Sequence, residues 1–237
     1  VELNPDIAPG LSQSIEQYQL PPRYSMIHRM NSEGFRDREH PREAKAGVYR
    51  IAFVGDSVTL GQGVEERHRF SNLVEEIFRS SGKEGELAVE SLNFGICGHC
   101  TEQEVVTYEH CVRPYKPDMV FVMMVSNDAL PYQEEMEFHR RNEELRRAWE
   151  EKSALLGKLS EWNAPLPDYS RSMAALRDLV ARCERDQTRL VVCLFRNHLG
   201  RDWGALTKSA IPTAEELDIP LLDLGSKLAL ETHVKHK

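Results

Sequence analysis

A short apolar run that ends abruptly in a polar turn is the feature that most constrains the fold of this chain. Residues 50–63 read RIAFVGDSVTLGQG, so the apolar run Ile51–Val54 stops at Gly55-Asp56-Ser57. A short apolar run bounded by a turn is typical of a buried strand in a parallel sheet. Glycine lets the backbone turn sharply and lets a bound group approach it closely. We therefore predict that this strand delivers Ser57 to the carboxyl edge of an α/β sheet, where ligands and chemistry collect.

The rest of the chain alternates strand-like and helix-like segments. Strands are predicted over residues 49–54, 87–92, 119–125, 190–195 and 219–224. Apolar residues at helical spacing and helix-forming composition predict helices over residues 70–80, 101–112, 169–183 and 205–217. Thr101 as N-cap, with Glu104 three residues later, predicts a capping box at the start of the second helix. This alternation favours a parallel sheet with helices on both faces.

Two stretches that do not fit the alternation define the predicted domain organisation. Residues 1–48 show little periodicity, and we expect them to form an N-terminal extension packed on the core. Residues 49–237 are expected to form the main α/β domain. Within that domain, residues 133–160 are highly charged and helix-prone, which predicts a helical insertion after the third strand. Long insertions of this kind often act as lids that shape specificity.

Composition and charge exclude several classes of partner. The net charge of −8 opposes binding to nucleic acid, which requires a basic surface, and opposes adhesion to anionic membranes. No apolar run is long enough to span a bilayer. Five cysteines in 237 residues do not indicate a small disulfide-stapled scaffold. We expect neither a metal ion nor an organic cofactor.

Polar residues follow the first three predicted strands, at 55–57, 93–98 and 126–128. Because the carboxyl ends of parallel strands share one edge of the sheet, we expect these residues to meet there. A serine nucleophile needs a base to take its proton and donors to hold the oxyanion. Ser57 supplies the hydroxyl. The backbone N–H groups of Ser57 and Gly98 and the carboxamide of Asn127 are candidate oxyanion donors.

In their order and residue types these blocks resemble the SGNH (GDSL) hydrolases. The resemblance covers roughly residues 31–224, and its most specific part is Gly55-Asp56-Ser57. Residues 31–37 (NSEGFRD) resemble the lead-in found before the first block in many bacterial members, including some sugar O-acetyltransferase relatives. The resemblance implies a three-layer α/β/α sandwich with a flavodoxin-like, five-stranded parallel sheet.

The resemblance also implies the chemistry and its residues. Ser57 is the implied nucleophile, and the N–H groups of Ser57 and Gly98 with the Asn127 side chain are the implied oxyanion hole. The implied reaction is ester hydrolysis or acyl transfer through an acyl-serine, without a cofactor.

The sequence departs from the family pattern in the third block and in the base. Val125 stands where the family usually has a glycine two residues before the asparagine. The Asp-x-x-His block expected after the fifth strand is missing, since Asp223 is followed three positions on by Ser226. We expect that block to lie beyond residue 237, and His233 is the fallback base in this chain.

The other histidines near predicted loops are weaker candidates for the base. His68, His99 and His198 fall in or near loops at the carboxyl edge, and we interpret each as a polar loop residue. For His236, as for His233, the favoured interpretation is a solvated basic tail that also contains Lys235 and Lys237.

The segment Cys97-Gly98-His99-Cys100 supports an alternative function. A C-x-x-C motif before a helix is typical of thiol–disulfide oxidoreductases, because a helix N-terminus lowers the pKa of a thiol. Against this, the motif lacks the aromatic residue that precedes the first cysteine in that family, and nothing marks its cis-proline. Zinc binding by these cysteines with Cys111 and His99 lacks a second ligand pair. A third hypothesis is an inactive domain that binds a carbohydrate or a partner, which the missing histidine motivates.

The sequence therefore favours a serine esterase or acyltransferase that acts on a small acyl ester, such as an acetyl group on a sugar. The expected partner is a small-molecule or carbohydrate ester, with no nucleic acid, and the oligomeric state is left open. The lead-in favours an exported or periplasmic bacterial location.

Overall fold

A parallel sheet organises the computed structural model of this protein. The structure describes residues 28–81, 88–130, 166–195 and 202–224, together with scattered residues between 134 and 151. The strands in these ranges are β1 (Val48–Gly55), β2 (Ala88–Gly95), β3 (Met119–Met124), β4 (Arg189–Leu194) and β5 (Leu221–Asp223). Their order is β2-β1-β3-β4-β5, and every neighbouring pair is parallel. The predicted α/β fold with a five-stranded parallel sheet is confirmed.

Helices lie between the strands along the chain. They are α1 (Ser57–Leu60), α2 (Phe70–Ser81), α3 (Thr101–Thr107), α4 (Ser170–Arg185) and α5 (Asp202–Glu216). A short 3₁₀ turn precedes α2. The helix predicted over residues 101–112 is α-helical only to Thr107, because the chain then widens into a π-helical stretch and ends in a 3₁₀ turn at Tyr115.

The main core lies on one face of the sheet, where alternate strand residues point toward α3, α4 and α5. Among its fully buried members are Val54, Val122, Val192 and Leu176. On the other face, Phe53 and Phe121 stack with their centroids 5.3 Å apart, and α2 packs beside β2. That second face also contains an apolar cavity of about 670 Å³.

Two glycines let α1 sit directly on the strand ends. Gly55 and Gly95 pair in register at the carboxyl ends of β1 and β2. A Cβ at Gly95 would lie 2.1 Å from the Leu60 nitrogen, and one at Gly55 would lie 2.1 Å from Thr59 Oγ1. Any larger residue at either position would push α1 away from the sheet.

Two sequence-based assignments at this edge were wrong. Asn93 lies inside β2 rather than in the loop after it, and its buried carboxamide donates to the Thr59 carbonyl at 2.6 Å. The N-cap of α3 is Cys100 rather than Thr101, and Gln103 Oε1 accepts the Cys100 N–H at 3.1 Å. Glu104 is therefore turned into the interior, where the chain folds α3 over β1.

Parts of the predicted organisation lie outside the described residues. These include residues 1–27 of the extension, most of the insertion at 133–160, and the histidines at 198, 233 and 236. In the described part of the extension, Phe35 is buried against Phe94 with ring centroids 5.0 Å apart. Within the described ranges, no helix has the length and apolar character needed to cross a membrane.

Candidate active site

Ser57 is the first residue of α1 and follows the end of β1 after a single residue. That residue, Asp56, is buried and caps the helix, because its Oδ1 accepts the Val58 N–H at 2.9 Å. Ser57 itself is only half-buried. The helix ends at Gly61, where φ is +76° and where the N–H donates to the Ser57 carbonyl at 3.1 Å. The serine thus sits in a tight turn at the carboxyl edge, with its side chain accessible.

Asn127 and Ser57 converge on one oxygen of Asp56. The Asn127 Nδ2 donates to Asp56 Oδ2 at 3.2 Å, and the Ser57 Oγ donates to the same oxygen at 3.4 Å. The hydroxyl and the carboxamide are therefore within about two hydrogen-bond lengths of each other. The structure brings these two sequence-predicted residues together.

The turn that holds Asn127 is secured from the start of α4. The Tyr169 hydroxyl donates to the Ser126 carbonyl at 2.5 Å, and the Ser172 hydroxyl donates to the Asp128 carbonyl at 2.7 Å. Both side chains are buried. Because the carbonyls on either side of Asn127 are held, the direction of its carboxamide is set by the packing of α4.

Gly98 lies in the turn between β2 and α3, with φ at +72°, a left-handed conformation that favours glycine. The start of this turn is tied to β1, since the Ile96 N–H donates to the Gly55 carbonyl at 2.9 Å. Burial raises the pKa of the Cys97 thiol to about 12, and the neighbouring Asp56 carboxyl adds to that rise. The Gly98 turn therefore borders the Ser57 turn through residues 55, 56 and 97.

These turns and the start of α3 contain three buried ionisable side chains, Asp56, His99 and Glu104, which we call the edge cluster. Burial raises the pKa of Asp56, although hydrogen bonds from Val58 and Asn127 oppose that rise. Burial, and then the charge of Asp56, raises the pKa of Glu104 well above 4.5. Among the described residues, neither Glu104 oxygen has a hydrogen-bond partner.

His99 lies in a loop, as expected, but its side chain is buried. It is 3% exposed, and burial lowers its pKa to about 4, so it is neutral at pH 7. Its Nε2 has no hydrogen-bond partner in the part of the chain that the structure describes. His68 is exposed, as predicted for a polar loop residue. No histidine in the described ranges is hydrogen-bonded to Ser57, and the catalytic base stays a prediction.

The environment of the C-x-x-C motif opposes thiol chemistry. Burial raises the pKa of Cys97 to about 12 and that of Cys100 to about 11. A redox-active dithiol needs the opposite shift, since the thiolate is the nucleophile. Both cysteines are free thiols, and no cluster of three or more metal-binding side chains occurs among the described residues.

Sequence reasoning did not identify Asp56 as the group that joins Ser57 to Asn127. An aspartate immediately before a helix is a common N-cap, which is the signal that was available. The hydrogen bonds from Tyr169 and Ser172 that hold the Asn127 turn had no comparable signal in the sequence, because they depend on the packing of α4.

Comparisons with known proteins point to one family and one fold. Residues 51–185 match the family described as GDSL-like Lipase/Acylhydrolase. The acetyl xylan esterase AlAXEase has a similar structure, with 18% identity and a TM-score of 0.54 over 79% of this chain and 85% of that one. AlinE4, a SGNH-hydrolase family esterase, is 16% identical, with a TM-score of 0.51 over 75% of this chain and 77% of its own. No curated protein sequence matches this chain.

Proposed function

This chain belongs to the GDSL-like lipase/acylhydrolase family and is a hydrolase on that ground, and from this premise we propose a serine-dependent ester hydrolase or O-acyltransferase that acts through an acylated Ser57. The observation that carries the proposal is the convergence of Ser57 Oγ and Asn127 Nδ2 on Asp56 Oδ2. A hydroxyl beside a fixed N–H donor is the arrangement that attack on an ester carbonyl requires.

In the acylation step, Ser57 Oγ attacks the carbonyl carbon of the ester while a base takes the hydroxyl proton. The carbonyl oxygen becomes an oxyanion, which accepts hydrogen bonds from the N–H groups of Ser57 and Gly98 and from Asn127 Nδ2. Each such donor contributes about 3–4 kcal/mol to the stability of the transition state. The intermediate then collapses, the ester C–O bond breaks, and the alcohol leaves with the proton that the base returns.

In the second step, water or an acceptor hydroxyl attacks the acyl group on Ser57. The same donors hold the second oxyanion, and the acid or the new ester is released. Hydrolysis and transfer differ only in the attacking O–H group. For the base we propose an imidazole from the chain that follows β5, with His233 as the candidate in this sequence.

The proposed substrate is a small acyl ester, and the acetylated carbohydrate is the specific case. The printed name of the structurally similar AlAXEase describes that protein as an acetyl xylan esterase, which supports this choice. The burial of Asp56, next to Ser57, and of Glu104 also supports ester chemistry, because hydrogen bonds to an oxyanion are stronger where water is excluded.

The test is Ser57→Ala, measured by release of p-nitrophenol from p-nitrophenyl acetate. We expect kcat to fall by at least about 10³-fold, because the nucleophile is removed. Asn127→Ala should lower kcat by about 10²-fold, since one oxyanion donor is lost. Ser80→Ala, an exposed serine on α2, is the matched control and should retain wild-type turnover.

Turnover that persists in Ser57→Ala would reject the acyl-serine mechanism. The thiol–disulfide alternative predicts the reverse dependence, with loss of activity in Cys97→Ser and no effect at Ser57. A fluorophosphonate probe provides a second readout, because it should label Ser57 and no other serine, as located by mass spectrometry.

A further inference from the structure

A buried arginine upstream of β1 contacts the far side of the turn that carries Ser57. Arg36 is only 1% exposed. Its guanidinium donates to the carbonyl oxygens of Leu60 at 3.3 Å, of Gly61, and of Val64 at 2.6 Å. These carbonyls belong to the end of α1 and to the loop that follows it. One side chain therefore holds the backbone of residues 60–64, which follows the serine.

The contact reaches Ser57 through a single residue. The Gly61 carbonyl accepts from Arg36, and the Gly61 N–H donates to the Ser57 carbonyl at 3.1 Å. The Gln62 N–H donates to the same Ser57 carbonyl at 3.0 Å. An isolated helical turn is not stable on its own, and α1 has four residues. Its geometry therefore depends on Asp56 at one end and on Arg36 at the other.

The loop after α1 is also packed too tightly to shift without a change in Arg36. Gly61 has φ at +76°, and a Cβ there would lie 2.6 Å from Arg69 Cγ and 3.3 Å from Arg36 Nη1. The Gly61 turn therefore packs directly against the side chains of Arg36 and Arg69.

Arg36 is itself locked in place by the residues on either side of it. Phe35 is buried edge-on against Phe94, and Asp37 Oδ2 accepts the Asn93 N–H from β2 at 2.7 Å. Among the described residues, the hydrogen bonds of Arg36 go only to backbone carbonyls and to no carboxylate. A buried guanidinium used in this way holds backbone in position rather than balancing a charge.

We propose that Arg36 is a positioning residue that holds the Ser57 turn in its reactive geometry, an inference that rests on the proposed role of Ser57. Without the guanidinium, the carbonyls of Leu60, Gly61 and Val64 lose their buried donor, and the turn must rearrange to find new partners. A misplacement of about 1 Å costs on the order of 10²-fold in rate. Because Arg36 is buried behind the turn and does not reach the substrate, the loss falls on kcat and leaves KM nearly unchanged.

The experiment compares Arg36→Met with Arg50→Met in the full-length protein. Arg50 is the control, because it is equally buried and also donates to backbone carbonyls, those of Pro41 at 2.6 Å and Tyr115 at 2.9 Å. It additionally pairs with Glu90 at 2.7 Å, so its loss should cost at least as much stability as the loss of Arg36. It lies about 20 Å from Ser57 along the strand. The measurements are kcat and KM on p-nitrophenyl acetate per mole of folded protein, the melting temperature, and backbone amide exchange of residues 57–64.

We expect Arg36→Met to lower kcat by about 10²-fold, with KM within about threefold of wild type and faster amide exchange at Gly61 and Gln62. Arg50→Met should lower the melting temperature but keep kcat within about threefold and leave exchange at residues 57–64 unchanged. Arg36→Lys retains the charge without the planar fork and should lose an intermediate amount of kcat. If Arg36→Met does not fold, the same measurements on Arg36→Lys test the proposal.

Wild-type kcat and exchange in the Arg36 variants, with an inactive Ser57→Ala, would overturn the positioning role. Equal losses of kcat in Arg36→Met and Arg50→Met would overturn it as well, since they would indicate general destabilisation. If Ser57→Ala retained turnover, the proposed function would fail instead. Amide exchange at Gly61 and Gln62 would then decide by itself whether Arg36 holds the turn.

Discussion

The edge cluster and a second group of buried ionisable residues, here called the upstream network, differ in how their charges are paired. The upstream network consists of Asp37, His40, Arg50, Arg69 and Glu90. His40 lies between two carboxylates, 3.1 Å from Asp37 Oδ2 and 3.0 Å from Glu90 Oε1. Arg69 pairs with Asp37 at 3.2 Å, and Arg50 pairs with Glu90 at 2.7 Å. In the edge cluster, by contrast, neither Glu104 oxygen has a hydrogen-bond partner among the described residues, and neither does His99 Nε2; in the upstream network this holds for one nitrogen of Arg69, whose other nitrogens are paired.

This difference in pairing reverses the effect of burial on charge. Burial alone would raise the pKa of Asp37, but the hydrogen bond from His40, the Asn93 N–H and the charge of Arg69 outweigh it, and the pKa is lowered. Glu104 has no such partner, and burial raises its pKa. The comparison shows that oppositely charged partners, rather than depth alone, decide whether burial raises or lowers the pKa of a carboxyl group. The region with oppositely charged pairs holds residues 31–42 against the sheet, whereas the region without such pairs lies beside the reactive residues.

Removing one partner from the upstream network should have the largest effect. Arg69→Met leaves the Asp37 carboxylate buried without its guanidinium, which should lower the free energy of unfolding by about 3–5 kcal/mol. Urea denaturation measures this change. The control is Arg67→Met, whose ion pair with Glu65 is solvent-exposed, and it should change stability by less than about 1 kcal/mol. Similar losses of unfolding free energy in both variants would show that the buried Arg69–Asp37 pair contributes no more than an exposed pair.

A smaller, pH-dependent effect is expected at His40. Burial alone would lower its pKa, but the hydrogen bonds with Asp37 and Glu90 outweigh burial, and the pKa is raised above 6.5. Its contribution to stability is therefore complete below pH 6.5 and is lost as the pH rises through the raised pKa. His40→Gln should cost about 1.5–3 kcal/mol near pH 6 and progressively less at alkaline pH. Urea denaturation between about pH 6 and pH 9 measures this slope, and His110→Gln, an exposed residue, is the control.

If the free energy of unfolding changed equally with pH in wild type and in His40→Gln, the raised pKa of His40 would be contradicted. The lowered pKa values of Asp37 and Glu90 act in the acid range, because their contributions are lost as the pH falls through those values. They do not interfere with the alkaline slope.

The smallest effect is expected in the edge cluster, with the opposite sign. The raised pKa of Glu104 means that its contribution to stability is complete below pH 4.5 and is lost as the pH rises. Glu104→Gln cannot ionise, so it should be more stable than wild type at neutral pH by about 1 kcal/mol and should not show this loss. Thermal unfolding at pH 5 and pH 8 measures the difference, and Glu102→Gln on the same helix is the control. A loss of stability as large as that of Arg69→Met would show that the Glu104 carboxylate is charged and paired.

The predictable part of the fold came from strong local patterns. β1 and β3 lie within a residue or two of their predicted ranges, because buried parallel strands are short apolar runs with clear ends. The order of the site residues was also available, since Ser57 and Asn127 follow the first and third strands. What could not be predicted is that both residues bind the same Asp56 oxygen, because that contact joins residues 71 positions apart.

Asn93 and Glu104 show why other assignments failed. Both are polar, and a polar residue near a predicted strand end or helix start is normally placed in a loop or a cap. Asn93 is instead drawn into β2 by the pairing of β2 with β1 as far as Gly95. Glu104 is turned inward because the helix begins one residue earlier than its sequence indicates.

The amino-acid sequence by itself determined the strands, the Gly55-Asp56-Ser57 turn and the family, because each depends on residues that are close together in the chain. Only the tertiary structure decided the ionisation of the buried groups and the support of the Ser57 turn by Arg36. Those properties depend on which distant side chains and carbonyls come within hydrogen-bond distance, and the local sequence does not specify which groups those are.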